Sequence, residues 1–143
     1  MLGMVMQKKP LRILLVEDDG SIARIIMIAM RDIGVPYELD QAYSAEEGLE
    51  LWDVQPYDVV LTDYNLRGMN GIAMIAALRT RGAADLPTVL FTAYDDARIQ
   101  KDARAIGVTR FVSKPFMIEE FVRLTRELLP ANVSEIGSPP PAV

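Results

Sequence analysis

The chain has 143 residues, half of them hydrophobic, which is enough for one domain with a proper core. Its formal net charge is −5 and no basic patch stands out, so direct binding to nucleic acid is not expected. The sequence contains no cysteine and no histidine. This excludes disulfides and a histidine base, and any metal would need oxygen ligands. No apolar run reaches membrane-spanning length and no signal peptide is evident, so we expect a cytoplasmic protein without a membrane partner.

Strand and helix patterns alternate along the chain. Residues 1–10 are predicted to be a loose leader, and the proline-rich residues 131–143 a disordered tail or the start of a linker. Short apolar or β-branched runs predict strands at Leu11–Val16, Tyr37–Ala42, Val59–Leu61, Pro87–Thr92 and Thr109–Ser113. Helical spacing predicts helices after Ser21, after Ser44, and over Ile72–Arg81, Asp95–Ile106 and Met117–Leu129. Asp19 and Ser44 are predicted to cap the first two helices, and Met27, Met30 and Trp52 are predicted to be packing residues.

This alternation predicts a doubly wound α/β domain over residues 11–130, with helices on both faces of a five-stranded parallel sheet. Strands one, three and four are continuous apolar runs, as expected for strands covered on both sides, whereas strand two alternates weakly like an edge strand. Right-handed crossovers favour the flavodoxin-like strand order 2-1-3-4-5. Its ligand crevice would lie between strands one and three.

Polar side chains stand where four of the predicted strands end. Glu17 and Asp18 follow strand one, Asp63 follows strand three, Thr92 ends strand four and Lys114 follows strand five. Because parallel strands share one carboxyl edge, these side chains should lie close together. Three carboxylates there would repel one another unless a hard cation such as Mg²⁺ and the Lys114 ammonium compensated them. Each residue alone has an ordinary structural explanation, such as capping a turn, but their common position favours a site.

The sequence resembles the receiver domain of bacterial two-component response regulators. Five pieces carry the resemblance, in the family's order and roughly its spacing over residues 10–130: ILLVEDD (13–19), DVVLTD (58–63), GMNG (68–71), VLFTA (89–93) and FVSKPF (111–116). The resemblance implies a regulatory phosphoaspartate domain in phosphorelay signal transduction, not a turnover enzyme. The phosphoryl donor would be a sensor histidine kinase or a phosphotransfer protein, and the output would pass to a downstream protein effector.

The resemblance also implies a role for individual residues. Asp63 would be the phosphoacceptor and Lys114 would pair with the phosphoryl group, with the Lys114–Pro115 bond in the cis form. The Mg²⁺ ligands would be Glu17, Asp18, Asp63 and the backbone carbonyl of Asn65. Thr92 would hydrogen-bond the phosphoryl oxygen, and Phe111 would be the aromatic switch residue. The two would move together when the domain is phosphorylated.

Several residues depart from the family pattern. Arg67 stands where a proline is usual, four residues after the phosphoacceptor, which predicts a more mobile loop or a contact with a partner's acids. Phe111 has no hydroxyl, so a switch there would act by packing alone. Tyr94 is large enough to hinder the hydrolytic water, which predicts slow self-dephosphorylation. The residues before Lys114 lack the acidic pair and tyrosine of regulators that dimerise to bind DNA, which makes that output less expected.

Two rival functions and one question about the output remain open from the sequence. A phosphatase with an aspartate nucleophile would need a second acid two residues after Asp63, where Asn65 stands and cannot transfer protons. A flavin-binding module would need a phosphate cradle in place of the acidic loop EDDGS. The receiver itself would be either a stand-alone regulator or the first part of a longer chain.

Overall fold

A computed structural model describes residues 9–93 and 96–129 of the chain. Within these residues, five parallel strands form one sheet in the order β2-β1-β3-β4-β5, and helices cover both of its faces. The predicted architecture and strand order are therefore confirmed. Most of the predicted leader and all of the predicted tail lie outside the described residues, as do Tyr94 and Asp95.

The strands follow the apolar runs of the sequence. Their bounds are β1 Leu11–Val16, β2 Tyr37–Ala42, β3 Val59–Asp63, β4 Thr88–Thr92 and β5 Arg110–Ser113. Every residue of β3 and β4 is buried, as expected for strands with helices on both sides. Strand β2 instead alternates between half-buried and exposed residues at the edge of the sheet, and its exposed positions include Glu38 and Asp40.

The helices lie between the strands and after the last one. Their bounds are α1 Gly20–Ala29, α2 Ala45–Val54, α3 Gly71–Thr80, α4 Ala97–Ala105 and α5 Ile118–Glu127. The α1 segment was expected to remain helical up to Gly34, but it tightens into a 3₁₀ turn at Met30–Asp32. The described part of α4 begins after its N-cap, Asp96. None of these helices is long and apolar enough to cross a membrane.

Short polar side chains begin the helices at the loops that follow the strands. The Asp19 carboxylate accepts hydrogen bonds from the backbone N–H groups of Ser21 and Ile22, at 2.8 and 3.2 Å. Ser44 accepts one from the backbone N–H of Glu47 at 3.0 Å. Both caps were predicted, and each satisfies donors that have no partner within their helix. The caps therefore define where the loops at the carboxyl edge of the sheet end and the helices begin.

The sheet separates two apolar clusters. One lies between the sheet and helices α1 and α5, and it includes Ile13, Leu61 and Phe121. The other lies under α2 and α3, and it includes Leu14 and the predicted packing residue Trp52. Burial of both sheet faces contributes most of the free energy that holds the carboxyl edge in place.

Helix α1 also leaves apolar side chains exposed. Met27 was expected to be a packing residue, but its exposed fraction is 38%, and Ile25 and Ile28 are exposed by 47% and 50%. Of the two methionines, Met30 is fully buried as expected, and Ile26 and Ile33 are buried on the same inner side of the segment. The spacing of the apolar residues predicted the helix but could not show that it is apolar on its outer face as well.

Candidate functional site

The predicted site residues come from the carboxyl ends of neighbouring strands. Asp63 is the last residue of β3, paired in register with Phe91 of β4, and Thr92 is paired with Ser113 of β5. Glu17 directly follows β1 and donates its backbone N–H to Ala42 of β2. Because Val16 of β1 pairs with Thr62 of β3, the next residues, Glu17 and Asp63, lie side by side at the crevice where the strand order reverses.

Lys114 brings the charges of this edge together. Its Nζ donates a hydrogen bond to Asp63 Oδ2 at 2.8 Å and lies 3.7 Å from Glu17 Oε1. Nζ also lies 5.5 Å from the centroid of the Phe91 ring, and the Lys114–Pro115 peptide bond after it is cis. One ammonium therefore serves two carboxylates, which leaves this cluster with one excess negative charge when both are ionised.

Glu17 is the acid of this cluster whose charge is least well compensated. Its side chain is fully buried, and its Oε1 atom has no hydrogen-bond partner among the described residues. Burial and then the nearby Asp63 charge raise the pKa of Glu17 to about 8, against the opposing effects of the Asp19 backbone N–H and Lys114. A cation that comes close to such a carboxyl group would stabilise its ionised form.

The residues present fit a hard divalent cation. Glu17 offers a buried oxygen that no donor within residues 9–93 and 96–129 reaches, and Asp63 offers a second carboxylate. Asp18 is partly exposed beside them and makes no hydrogen bond or ion pair within the described part of the chain. Among the described residues, no three acidic side chains already converge as metal ligands. The oxygen donors suit Mg²⁺, which commonly takes one or two carboxylates and keeps several waters.

The remaining predicted residues surround the cluster. The backbone N–H of Asn65 donates to Asp63 Oδ1 at 3.0 Å, so each oxygen of that carboxylate has a donor. Thr92 is fully buried at the end of β4, and its backbone carbonyl accepts a hydrogen bond from the Lys114 N–H at 2.7 Å. Phe111 lies half-buried in β5, beside Leu90. Tyr94, expected to affect self-dephosphorylation, is outside the described residues.

The start of helix α3 makes a close backbone contact with the end of β3. A Cβ added at Gly71 would lie 2.3 Å from the Asp63 carbonyl oxygen and 3.1 Å from Tyr64 Cα. The Gly71 N–H also donates to the Tyr64 carbonyl at 2.9 Å. Helix α3 can begin this close to Asp63 only because residue 71 has no side chain. The sequence shows a glycine here, as part of GMNG, but residue spacing gives no sign of the contact.

The family model for the response regulator receiver domain matches residues 13–126. The chain belongs to this family. The receiver domain is accordingly a signal-transduction domain of two-component systems, and the flavodoxin-like fold is the one its relatives share. Chemotaxis response regulator CheY4 of Vibrio cholerae has a similar structure, with a TM-score of 0.77 and 24% identity, over 85% of this chain and all of that one.

Two curated relatives show the same family membership in sequence. The receiver is 32% identical to the uncharacterized transcriptional regulatory protein YkoG of Bacillus subtilis, over 84% of this chain and 51% of the relative. It is 31% identical to the transcriptional regulatory protein DltR of Streptococcus agalactiae, over 90% of this chain and 58% of the relative. The chain therefore spans about half the length of these relatives, and their names describe whole proteins.

Proposed function

We propose that this receiver domain accepts a phosphoryl group on Asp63 from a histidine-containing donor and passes the change to a protein effector. The observation that carries the proposal is the Lys114 ammonium, 2.8 Å from an almost fully buried Asp63 carboxylate that faces a second buried acid. A carboxylate oxygen would attack phosphorus while the phosphorus–nitrogen bond to histidine breaks and the ring nitrogen takes a proton. An aspartyl phosphate and a free histidine result.

The chain's own residues supply positioning and positive charge for this transfer. Lys114 would follow the incoming phosphoryl oxygens, since it already lies between Asp63 and Glu17. The Asn65 N–H would continue to orient the aspartate. Mg²⁺, when bound through Glu17, Asp18, Asp63 and the Asn65 carbonyl, would neutralise charge on the phosphoryl oxygens. Because Asn65 replaces the second acid that a phosphatase needs, the group would be held and not turned over.

Phosphorylation would then alter the packing of β4 and β5. The added group carries roughly 1.5 to 2 negative charges, if it resembles other phosphorylated side chains, and offers new hydrogen-bond acceptors. The buried Thr92 hydroxyl is expected to turn towards them, and the half-buried Phe111 ring to follow into the space released. The phosphoryl group thus acts as a ligand that favours one of two packings.

A protein donor is favoured by an apolar groove beside the site. The groove has a volume of about 370 Å³ and is lined by Lys114 and by apolar residues of α1 and of the segment after β5, among them Ile22, Ile25, Phe116 and Ile118. Since Lys114 belongs to both the groove and the acidic cluster, apolar side chains of the donor can dock next to its phosphohistidine. We place the sensor kinase or phosphotransfer protein here, in a cytoplasmic setting.

Incubation with phosphoramidate and Mg²⁺ tests the phosphoacceptor. Mass spectrometry should show one added phosphoryl group on the wild-type chain and none on Asp63→Asn. Asp58→Asn is the matched control, because Asp58 precedes the opposite end of the same strand, where its side chain accepts the Arg12 N–H. Asp18→Ala should lose the dependence on Mg²⁺. Phosphorylation of Asp63→Asn at the wild-type rate would refute the proposal.

Transfer from a phosphotransfer protein tests the docking groove. Ile25→Glu should slow transfer from the phosphohistidine protein about tenfold, while phosphoramidate phosphorylates the variant at the wild-type rate. Val54→Glu is the control, because Val54 is an apolar side chain with 85% exposure at the far end of α2. Equal slowing in both variants would place the donor elsewhere.

A further inference from the structure

The first turn of α2 carries two adjacent glutamates with different contacts. The Glu47 carboxylate accepts a hydrogen bond from the Tyr43 N–H at 2.6 Å, and the Glu47 N–H donates to Ser44 Oγ at 3.0 Å. These bonds close the N-terminus of α2 itself. The Glu46 carboxylate instead accepts a hydrogen bond from the Met69 N–H at 3.3 Å. It therefore joins α2 to loop 64–70, which follows the phosphoacceptor aspartate.

The loop is shaped to receive the Glu46 carboxylate. Gly68 has a φ of +75°, a backbone conformation that residues with a Cβ rarely adopt. A Cβ at this position would also lie 3.1 Å from Glu46 Oε2. The carboxylate thus lies against the Gly68 backbone while it binds the next N–H, that of Met69. Both contacts act on the middle of the loop.

Close packing of α2 brings Glu46 within reach of the loop. A Cβ added at Gly48, half a turn further along α2, would lie 3.3 Å from Met74 Sδ of α3 and 3.3 Å from Val16 Cγ2 of β1. Because residue 48 has no side chain, α2 can approach both elements closely. The position of the first turn is consequently fixed by the core and not by the exposed carboxylate.

The ends of loop 64–70 are already held by other bonds. At its start, the Asn65 N–H donates to Asp63 Oδ1, and at its end the Asn70 side chain accepts the Ala73 N–H at 2.8 Å as the cap of α3. Arg67, in the middle, lacks the fixed φ that the proline usual at this position would supply. Beyond the burial of Leu66, a restraint on the middle of the loop has to come from another element.

We propose that Glu46 is a positioning residue for the phosphoacceptor loop. It replaces the missing proline restraint by tying the Met69 backbone to α2, and thereby keeps the Asn65 N–H directed at Asp63. The inference rests on the proposed function of Asp63. It assigns to α2, which contributes no residue to the acidic cluster, a part in preparing the site for transfer.

Solvent exchange of the Met69 amide, followed by NMR, tests the tether without any phosphorylation. Glu46→Ala should speed this exchange about twofold to fivefold, the effect of losing one exposed hydrogen bond, and Glu46→Gln should restore slow exchange because it keeps an oxygen acceptor. Glu47→Ala is the matched control, since it should speed exchange at Tyr43 and leave Met69 unchanged. Unaltered Met69 exchange in Glu46→Ala would overturn the inference.

The rate of phosphorylation by phosphoramidate tests the consequence. Glu46→Ala should slow it about twofold to fivefold, and Arg67→Pro in the same chain should recover the wild-type rate. A merely structural role of Glu46 would give no recovery by proline and would lower the rate equally in Glu47→Ala. If the wild type takes up no phosphoryl group, the proposed function fails. The exchange of the Met69 amide still shows in that case whether Glu46 restrains the loop.

Discussion

The two edges of the sheet hold their charges in opposite ways. At the carboxyl edge, Lys114 lies between two carboxylates, and a buried oxygen of Glu17 has no hydrogen-bond partner in the part of the chain that the structure describes. At the amino edge, Arg79 uses all five of its N–H donors. Its acceptors are the carbonyls of Ala83, Leu86, Ile106 and Gly107, at 2.8 to 3.1 Å, and Thr88 Oγ1 at 3.4 Å.

The comparison shows which edge is built for stability. The Arg79 guanidinium ties the end of α3 to the segments that precede β4 and β5, and it leaves no donor unused. Burial lowers its pKa, an effect that Asp85 opposes. The carboxyl edge keeps a like-charge pair that folding alone does not need. Stability and reactivity are thus assigned to opposite ends of the same strands, and the following substitutions test that division.

The largest effect is expected from Gly71→Ala, which tests the steric limit at the carboxyl edge. A methyl group 2.3 Å from the Asp63 carbonyl cannot be accommodated without moving β3 or α3, so the free energy of unfolding should fall by about 4 kcal/mol. Urea denaturation measures this. Gly20→Ala is the control, because no described residue lies within 4 Å of its added Cβ, and it should stay within about 0.5 kcal/mol of wild type. A loss below 1 kcal/mol would show that the contact is easily relieved.

Next in size is Arg79→Met, which removes the anchor of the amino edge. Four carbonyls would lose a charged donor, and we expect the unfolding free energy to fall by about 3 kcal/mol. Arg81→Met, two residues later, should cost under about 1 kcal/mol, since Arg81 pairs with Asp53 on the surface. Phosphorylation by phosphoramidate should be unchanged in both folded variants. A reduced rate in Arg79→Met would break the proposed division between the edges.

A smaller, pH-dependent effect is expected from Glu17→Gln. The folded protein raises the pKa of Glu17 from 4.5 to about 8, so the folded state binds more protons than the unfolded state between these values. In metal-free buffer, wild-type stability should therefore fall as pH rises from 4.5 to 8. The Glu17→Gln variant should show a smaller slope, and its free energy of unfolding at pH 8 should exceed that of the wild type by about 2 kcal/mol. Equal pH slopes in the two chains would show that folding does not raise the pKa of Glu17.

The smallest effect concerns one hydroxyl at the amino edge. Thr109 Oγ1 accepts the Thr88 N–H at 3.0 Å, and Thr88 Oγ1 accepts the Thr109 N–H at 3.3 Å. Thr109→Val should lower the unfolding free energy by about 1 kcal/mol, because the Thr88 N–H loses its acceptor. Thr109→Ser keeps the hydroxyl and should recover most of that loss. Thermal denaturation of both variants distinguishes the hydrogen bond from the packing of the methyl group.

The sequence was most informative where structure is decided locally. The bounds of β1 and β2 agree with the apolar pattern residue for residue, and the caps at Asp19 and Ser44 follow from short-range hydrogen bonding. The convergence of Asp63, Glu17 and Lys114 was also predictable, since strand ends of a parallel sheet share one edge.

Contacts between distant segments that the strand order does not determine could not be predicted in this way. Glu17 and Asp18 are equivalent in the sequence pattern, yet only Glu17 points into the cluster with Asp63. The Glu46 contact with Met69 depends on how closely α2 packs, and the five bonds of Arg79 join three segments that meet only in the folded chain. A side chain's partner at such a distance is set by the packing of whole elements, which residue spacing does not encode.

The charges on the edge strand β2 affect how two copies of the domain can approach each other. Glu38 and Asp40 occupy exposed positions of β2, whose free edge offers backbone groups to any strand that approaches. A second copy aligned there would bring like charges together along the growing ladder. We therefore expect this border to disfavour edge-to-edge pairing of two copies, an effect that Arg12 of β1 partly offsets by its ion pairs with Glu38 and Asp40.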